Sequence, residues 1–379
     1  MMNIDMTTQF HFCNIPIADS FATEGNSKPS LSLIAGDASD RKFFRLKNAT
    51  ESAICMEFPK WEGGYGGDPL SWLGMHAALQ AIGIPVPKVL HIDQEKKCIW
   101  TEDFGDNFLN FGMQMPILDS QNQQCENILG HYKQAIALLV KVQYPHSKIP
   151  DHPALNRAFD TEKLMFEVNF FKSHFINGLL NSKIYVEQTY GNFNSEFENL
   201  CQWLSDQPRV LCHRDYHVRN VMVVDDEARW IDFQDARMGP HSYDLVSLIR
   251  DSYVRITDKT RDELTQYYLK LTNARRSEAM LTPISNNNFE IECHHMGLQR
   301  NIKALGSFGY LATVKNKPQY LCYVSHTLET LCNAAKSTPA GEKFGLKYPT
   351  IFAFLNDCQI GHLAAAIQGQ LTARKIRSF

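Results

Sequence analysis

Short apolar runs separated by turn formers fill the first hundred residues of the chain, and longer runs of helical period follow. Leu31–Ile34 and Arg41–Leu46 read as two strands around the small-residue turn Ala35-Gly36-Asp37-Ala38-Ser39-Asp40. Ala53–Phe58 reads as a third strand, the glycine-rich stretch Trp61–Gly67 as a flexible insert, and Pro69–Ile82 as a helix. Gly83–Leu90 returns the chain to the sheet, which Lys97–Thr101 completes. Beyond this point Ile128, Tyr132, Ile136, Leu139 and Val140 recur at helical spacing, and Phe159–Leu180 and Phe193–Leu204 are further apolar helix candidates. Short strands are expected at Val210–Cys212, Val221–Val224 and Arg229–Ile231, with a turn at Asp225-Asp226-Glu227. The pattern predicts an α+β chain with an N-terminal extension (1–30), a β-rich lobe (31–103) and a helical lobe (104–379).

With 379 residues, two lobes can each bury a core. The formal net charge of −3 lacks the excess of Lys and Arg that a nucleic-acid partner calls for. Ten cysteines occur without a Cys-x-x-Cys pair, which argues against a zinc ribbon and for reduced thiols in a cytoplasmic setting. Met1–Phe12 lacks the basic start and apolar core of a cleaved signal. No apolar stretch is long enough to span a bilayer, so no membrane partner is expected. The sequence points to no particular protein partner.

The chemistry is concentrated in Leu211-Cys212-His213-Arg214-Asp215-Tyr216-His217-Val218-Arg219-Asn220-Val221-Met222 and, shortly after, Trp230-Ile231-Asp232-Phe233. Phosphoryl transfer needs a carboxylate to orient the attacking hydroxyl and accept its proton, and oxygen ligands to hold Mg²⁺ against nucleotide phosphates. Asp215 suits the first role, as the catalytic residue. Asn220, five residues on, and Asp232, at the end of an apolar strand, suit the second. Each piece alone is a weak signal, since His-Arg-Asp triplets arise by chance and Asp-Phe pairs are ordinary turn residues. The ordered match of acid, amide, strands and second acid carries the reading. The turn holding Ser39 could offer backbone N–H groups to phosphates, although with one glycine it is by itself an ordinary hairpin. His217 is expected to hold the loop's shape without being the base. His294 and His295, beside Glu292, point in different directions on a helix and read as core or surface histidines.

The loop resembles that of protein kinases, but Gln234–Leu245 runs almost directly into a helix, with a tight Gly239-Pro240 turn and a Tyr243-Asp244-Leu245 start. This resembles the aminoglycoside phosphotransferase superfamily. Within it, the chain looks like the N-acetylmuramate/N-acetylglucosamine anomeric kinases of bacterial cell-wall sugar salvage. The matching stretches are Gly36–Leu46, Trp100–Asp106, Tyr243–Asp251 and Gln299–Tyr310, the last being the most specific to the sugar-kinase branch.

The resemblance implies a two-lobed, protein-kinase-like α+β fold that binds ATP and Mg²⁺ and phosphorylates a small-molecule sugar. It places an adenine-reading hinge at Glu102–Asp106, with Thr101, Glu102 and Asp103 among the nucleotide-binding residues. Asp235, Arg250 and Asp251 are the candidate acceptor contacts. One departure stands out: kinases carry a lysine on the third strand and a glutamate on the next helix. Here Met56 or Glu57 holds the lysine position, and Pro69–Ile82 contains no acid. An acid on this strand fits the sugar-kinase branch. The phosphate cation is then expected from Arg41 or Arg45, which share a strand face, or from Lys60. Two rival readings remain open: a kinase for an aminoglycoside, choline or related amine, and a nucleotide-binding pseudokinase without turnover.

Overall fold

The computed structural model describes residues 30–34, 41–48, 50–61, 68–109, 117–336 and 339–360, together with positions 365, 367, 369 and 372. The turn containing Ser39 and residues 62–67 of the glycine-rich insert lie outside the described residues. The chain forms two compact units. One draws on Met1–Gly74 and Val86–Gly105, and the other on Met75–Pro85 and Asp106–Phe379.

The first unit is built on a five-stranded antiparallel sheet in the order β1-β2-β3-β5-β4. The strands are β1 (Ser30–Ile34), β2 (Lys42–Lys47), β3 (Ser52–Glu57), β4 (Val89–Asp93) and β5 (Cys98–Glu102). Alternate side chains of β2 and β3 point to one face, where Phe44, Leu46, Ala53 and Cys55 pack with Cys98 and Trp100 of β5. The helix Pro69–Ala81 follows β3. It closes at Gly83, whose φ of 70° suits glycine alone without strain. The N–H of Ile84 reaches back to the Leu79 carbonyl at 2.9 Å.

The second unit is mainly helical and carries three short antiparallel or parallel strand pairs. After β6 (Ile117–Leu118) come the helices Glu126–Gln143, Thr161–Phe171 and Phe193–Ser205, then β7 (Arg209–Cys212). Next are the hairpin of β8 (Val221–Val224) and β9 (Glu227–Trp230), and β10 (Arg237–Pro240), which pairs antiparallel with β7. The β8–β9 turn places Asp225 and Asp226 at φ 52° and 65°, the left-handed pair that a two-residue hairpin demands. The helix Ser242–Ile249 and β11 (Arg255–Ile256) precede the helices Asp258–Glu278 and Asn286–Thr313, and Val324–Ala334, Pro339–Lys347 and Pro349–Ile360 complete the described chain.

The 28-residue helix Asn286–Thr313, capped by the Ser285 side chain at the Asn288 N–H, is the centre of this unit. It sits unusually close to the segment Phe171–Phe175. A Cβ at Gly306 would lie 2.8 Å from Cα of Phe171, and one at Gly309 would lie 2.4 Å from the His174 carbonyl oxygen. Only glycine permits that approach.

Two expectations change. The helix expected over Phe159–Leu180 starts at Thr161, where the Asp160 side chain caps the Lys163 N–H, and widens into a π-helix over Lys172–Leu179. The wider turn lies where the glycine face of the long helix presses in, and it keeps Phe171 and Phe175 stacked at 5.3 Å. The Gly239-Pro240 turn is instead the end of strand β10, where proline needs no ladder N–H and a Cβ on Gly239 would meet the Phe159 ring at 2.5 Å. Among the described residues, no helix is long and apolar enough to cross a membrane.

Gly309→Ala is expected to lower the stability of the folded chain by about 1–3 kcal/mol, the usual cost of overpacking. Urea denaturation beside the exposed control Gly191→Ala, where a Cβ meets nothing within 4 Å, checks this. Equal midpoints would show that the helices part at no cost.

Candidate active site

The loop between β7 and β8 carries Asp215 and Asn220 and is held from beneath by two buried carboxylates. Asp244, at the start of the helix Ser242–Ile249, accepts the N–H of His213 at 2.6 Å through one oxygen and that of Arg214 at 3.0 Å through the other. Asp251 likewise accepts the N–H groups of Val218 at 2.9 Å and Tyr253 at 2.8 Å. Burial pushes the Asp244 carboxyl up to about 7 and that of Asp251 up to about 6, while the backbone N–H groups pull both back toward the anion. Aromatic contacts tighten the loop further. Tyr216 donates to the Ala135 carbonyl at 2.8 Å, and the Trp230 indole N–H donates to the Tyr216 oxygen at 2.9 Å. The His213 ring bonds the Ile231 carbonyl through Nε2 at 2.9 Å.

The hairpin brings the candidate metal ligands together. Trp230 pairs with Val221, so Asn220 stands opposite Ile231, whose N–H donates to the Asn220 carbonyl at 3.1 Å, and Asp232 is the next residue. The Asn220 side-chain NH₂ donates to the Asp215 carbonyl at 2.8 Å, leaving its amide oxygen as an acceptor. Asp232 accepts from the Gln234 amide at 3.0 Å and has a φ of 60°. Arg214 has a φ of 84°. Left-handed backbone at non-glycine residues costs on the order of 1–3 kcal/mol and persists where the surroundings over-determine it.

Asp215 is surrounded by cations. Lys303 Nζ lies 2.7 Å from its Oδ1 and Arg300 Nη2 3.9 Å from the same oxygen. Burial acts to raise the Asp215 carboxyl, but Lys303, Arg214 and Arg300 outweigh it and hold the group well below the usual carboxylate range. His217 is pushed down to about 3 by burial and by Arg300, so its ring is neutral and its edge rests against Tyr253.

The residues singled out from sequence fall into distinct surroundings. Asp235 forms an ion pair with Arg214 at 3.1 Å, whose other side approaches Glu167 at 3.9 Å. Asp251 spends both oxygens on backbone N–H groups, as described above, and the Arg250 side chain passes over Gly297 while its carbonyl accepts from Asn301 at 3.2 Å. In the first unit, Arg45 is tied to Asp103 at 2.7 Å and to the Gly105 carbonyl at 2.9 Å, linking β2 to the hinge segment. Arg41 is buried, with its guanidinium over Phe43. Thr101 is buried in β5, and Glu102 pairs through its backbone N–H with the Lys88 carbonyl at 2.9 Å. Of the two candidates for the strand-lysine position, Met56 is buried and Glu57 faces Lys42 at 3.2 Å. His294 and His295 are buried, with His295 stacked on Trp203 at 3.9 Å, and burial depresses them to about 3 and about 4. Ser39 lies outside the described residues.

Sequence reasoning missed Arg214, Glu167, Arg300 and Lys303 as members of this cluster. The available signal was Gln299-Arg300-Asn301 and Lys303 in a helix that is otherwise largely apolar and glycine-containing.

The family model described as "Phosphotransferase enzyme family" matches residues 30–281. The chain belongs to that family. It is 28% identical to an N-acetylmuramate/N-acetylglucosamine kinase of Neisseria meningitidis serogroup B, over 76% of this chain and 81% of that protein. It is 27% identical to a protein of the same name from Pseudomonas aeruginosa, over 87% of this chain and 91% of that one. A choline kinase from Cryptosporidium parvum superposes with a TM-score of 0.54 at 12% identity, covering 88% of this chain and 95% of the other, and shares its fold. The two-lobed α+β kinase-like fold expected from sequence is therefore present.

Asp244→Asn should free one of the two N–H groups, because an amide offers one acceptor oxygen where the carboxylate offers two. A loss of about 1–3 kcal/mol in stability is expected. Phosphotransferase turnover should drop by about 10²-fold as the loop shifts. Denaturation and steady-state kinetics on the variant check this, and full turnover with full stability would remove Asp244 from the loop's support.

Proposed function

We propose that this chain is an ATP-dependent small-molecule kinase that phosphorylates the anomeric hydroxyl of an N-acetylated amino sugar. The observation that carries the proposal is the placement of Gln299–Tyr310, the stretch most specific to the sugar-kinase branch. In the fold it supplies Arg300 and Lys303 to the carboxylate of Asp215. The similarity to N-acetylmuramate/N-acetylglucosamine kinases of Neisseria and Pseudomonas supports the same acceptor class.

In this reading the sugar hydroxyl is oriented by Asp215 as it attacks the γ-phosphorus, and its proton passes to that carboxylate. Asp244 and Asp251 hold the backbone that carries Asp215, and Asn220 fixes its carbonyl. The oxygen donors of Asn220 and Asp232 fit Mg²⁺, a hard cation that uses few protein ligands and takes the remainder from water and phosphate. Bound there, the ion would neutralise triphosphate charge. Among the described residues, no group of three or more His, Cys, Asp or Glu side chains is arranged as a metal site. For nucleotide binding, Ser39, Arg41, Arg45, Thr101, Glu102 and Asp103 remain the proposed contacts, with the Arg45–Asp103 pair shaping the hinge segment. Asp235, Arg250 and Asp251 remain the proposed acceptor-side residues, Asp251 through the loop it supports.

Asp215→Ala is expected to leave nucleotide affinity nearly intact and lower turnover by about 10²- to 10⁴-fold. Asp232→Ala should in addition weaken the Mg²⁺-dependent part of ATP binding, measured by calorimetry with and without the ion. An unchanged metal response would reduce Asp232 to a turn residue. For the acceptor, N-acetylmuramate and N-acetylglucosamine are compared with their borohydride-reduced alditols. Phosphorylation of the cyclic sugars alone, giving an acid-labile phosphate, is expected. Equal activity on the alditols would place transfer at another hydroxyl, and activity only on amines would overturn the sugar assignment.

A further inference from the structure

The third strand offers Met56 and Glu57 where a kinase carries its phosphate-contacting lysine, and Glu57 is matched with Lys42. A transferring phosphoryl group still needs positive charge close to its equatorial oxygens. Among the described residues, one lysine is in contact with the catalytic carboxylate, and it arrives from far along the sequence.

Lys303 sits one helical turn beyond Gln299 and Arg300. All three reach the catalytic cluster: Gln299 donates to Glu167 at 2.9 Å, Arg300 donates to Ser247 at 2.9 Å, and Lys303 meets Asp215 at 2.7 Å. The depth of Lys303 is fixed by the backbone. Gly306 and Gly309, on the two turns that follow, let the helix lie against Phe171 and His174 at distances no side chain would tolerate. The pair is not sealed away, since the Asp215 side chain keeps 28% of its surface exposed and that of Lys303 13%. A hydroxyl held by Asp215 therefore comes within a few ångströms of Nζ.

Resting on the phosphoryl-transfer reading above, we propose that Lys303 is the catalytic cation of this site. Its ammonium touches the acceptor oxygen and the transferring phosphoryl group, where negative charge gathers in the transition state. In the step, a bond forms between the acceptor oxygen and the γ-phosphorus of ATP. The bond from that phosphorus to the β,γ-bridging oxygen breaks, and ADP leaves with the electron pair. The hydroxyl proton passes to the Asp215 carboxylate and then to water. Lys303 keeps its own proton throughout and is a charge stabiliser, not a base.

A purely positioning lysine would act only through Asp215, and a double-mutant cycle separates the two roles. Lys303→Met, Lys303→Arg, Asp215→Asn and the double variant Asp215→Asn/Lys303→Met are compared with wild type in the full chain. The double variant removes one charge of each sign and so keeps the net charge of a cluster in which Arg300 also approaches Asp215. Turnover is followed by transfer of labelled phosphate, and calorimetry measures binding of ADP and of ADP with fluoroaluminate, a mimic of the transferring group. Lys303→Met is expected to lower kcat by about 10²- to 10³-fold, with smaller changes in both KM values. It should weaken the fluoroaluminate complex far more than ADP alone, and Lys303→Arg should recover part of each loss. In the Asp215→Asn background, adding Lys303→Met should lower kcat again, by about tenfold or more, and weaken fluoroaluminate binding again. No further effect there, on either measurement, would overturn the proposal and leave Lys303 as a prop for Asp215 with the kinase reading intact. Wild-type turnover by Asp215→Asn would instead bring down that reading and the proposal with it.

Discussion

Backbone N–H groups in a buried loop must find acceptors, and in this protein that requirement is met by carboxylates. Asp244 satisfies the loop N–H groups of His213 and Arg214, and Asp251 satisfies that of Val218 together with the N–H of Tyr253 beside it. Asp244 lies in the first turn of the short helix Ser242–Ile249 and Asp251 two residues beyond its last turn, so the loop is held at two points by one short stretch of chain. Every other feature of the site follows from this clamp. The loop can hold Arg214 in a left-handed conformation, the Asn220 amide can close on the Asp215 carbonyl, and Asp215 can stay fixed while cations gather around it. Without the clamp, the desolvated charges would have no common frame.

Local grammar made much of this readable. The β8–β9 hairpin is announced by consecutive aspartates between apolar runs, a composition suited to left-handed turn positions. Asp215, Asn220 and Asp232 lie within eighteen positions, so strand pairing alone brings the last two side by side. What sequence could not supply was the side of the cluster built by distant helices. A helix of 28 residues has buried positions on most of its circumference, so periodicity does not say which polar residues face Asp215. Glu167 and Arg214 meet there for the same reason: their pairing is a product of tertiary packing. Asp251 looked like a ligand-facing acid, because nothing in its neighbourhood reveals that both of its oxygens are committed to backbone.

The glycine spacing in the long helix links packing to electrostatics. Gly306 and Gly309 set how closely two helical segments approach, and that distance in turn sets how far Lys303 can reach. The π-helical turns of Lys172–Leu179 accommodate the same contact from the other side. A residue chosen for its lack of a side chain thus governs where a charge sits several residues away.

Strand β10 has one further implication. It is paired with β7 along one edge, while on the other the Phe159 N–H donates to the Met238 carbonyl at 2.8 Å and the Met238 N–H donates to the Arg157 carbonyl at 2.8 Å. Many kinases regulate themselves in this very part of the chain, by letting a long segment after the metal-binding acid order or disorder when it is phosphorylated. Here the stretch Arg237–Pro240 is short and hydrogen-bonded on both sides. Any change of shape in this segment must first break hydrogen bonds along both of its edges, so its ordered form is coupled to β7 and to the residues that lead into the helix Thr161–Phe171.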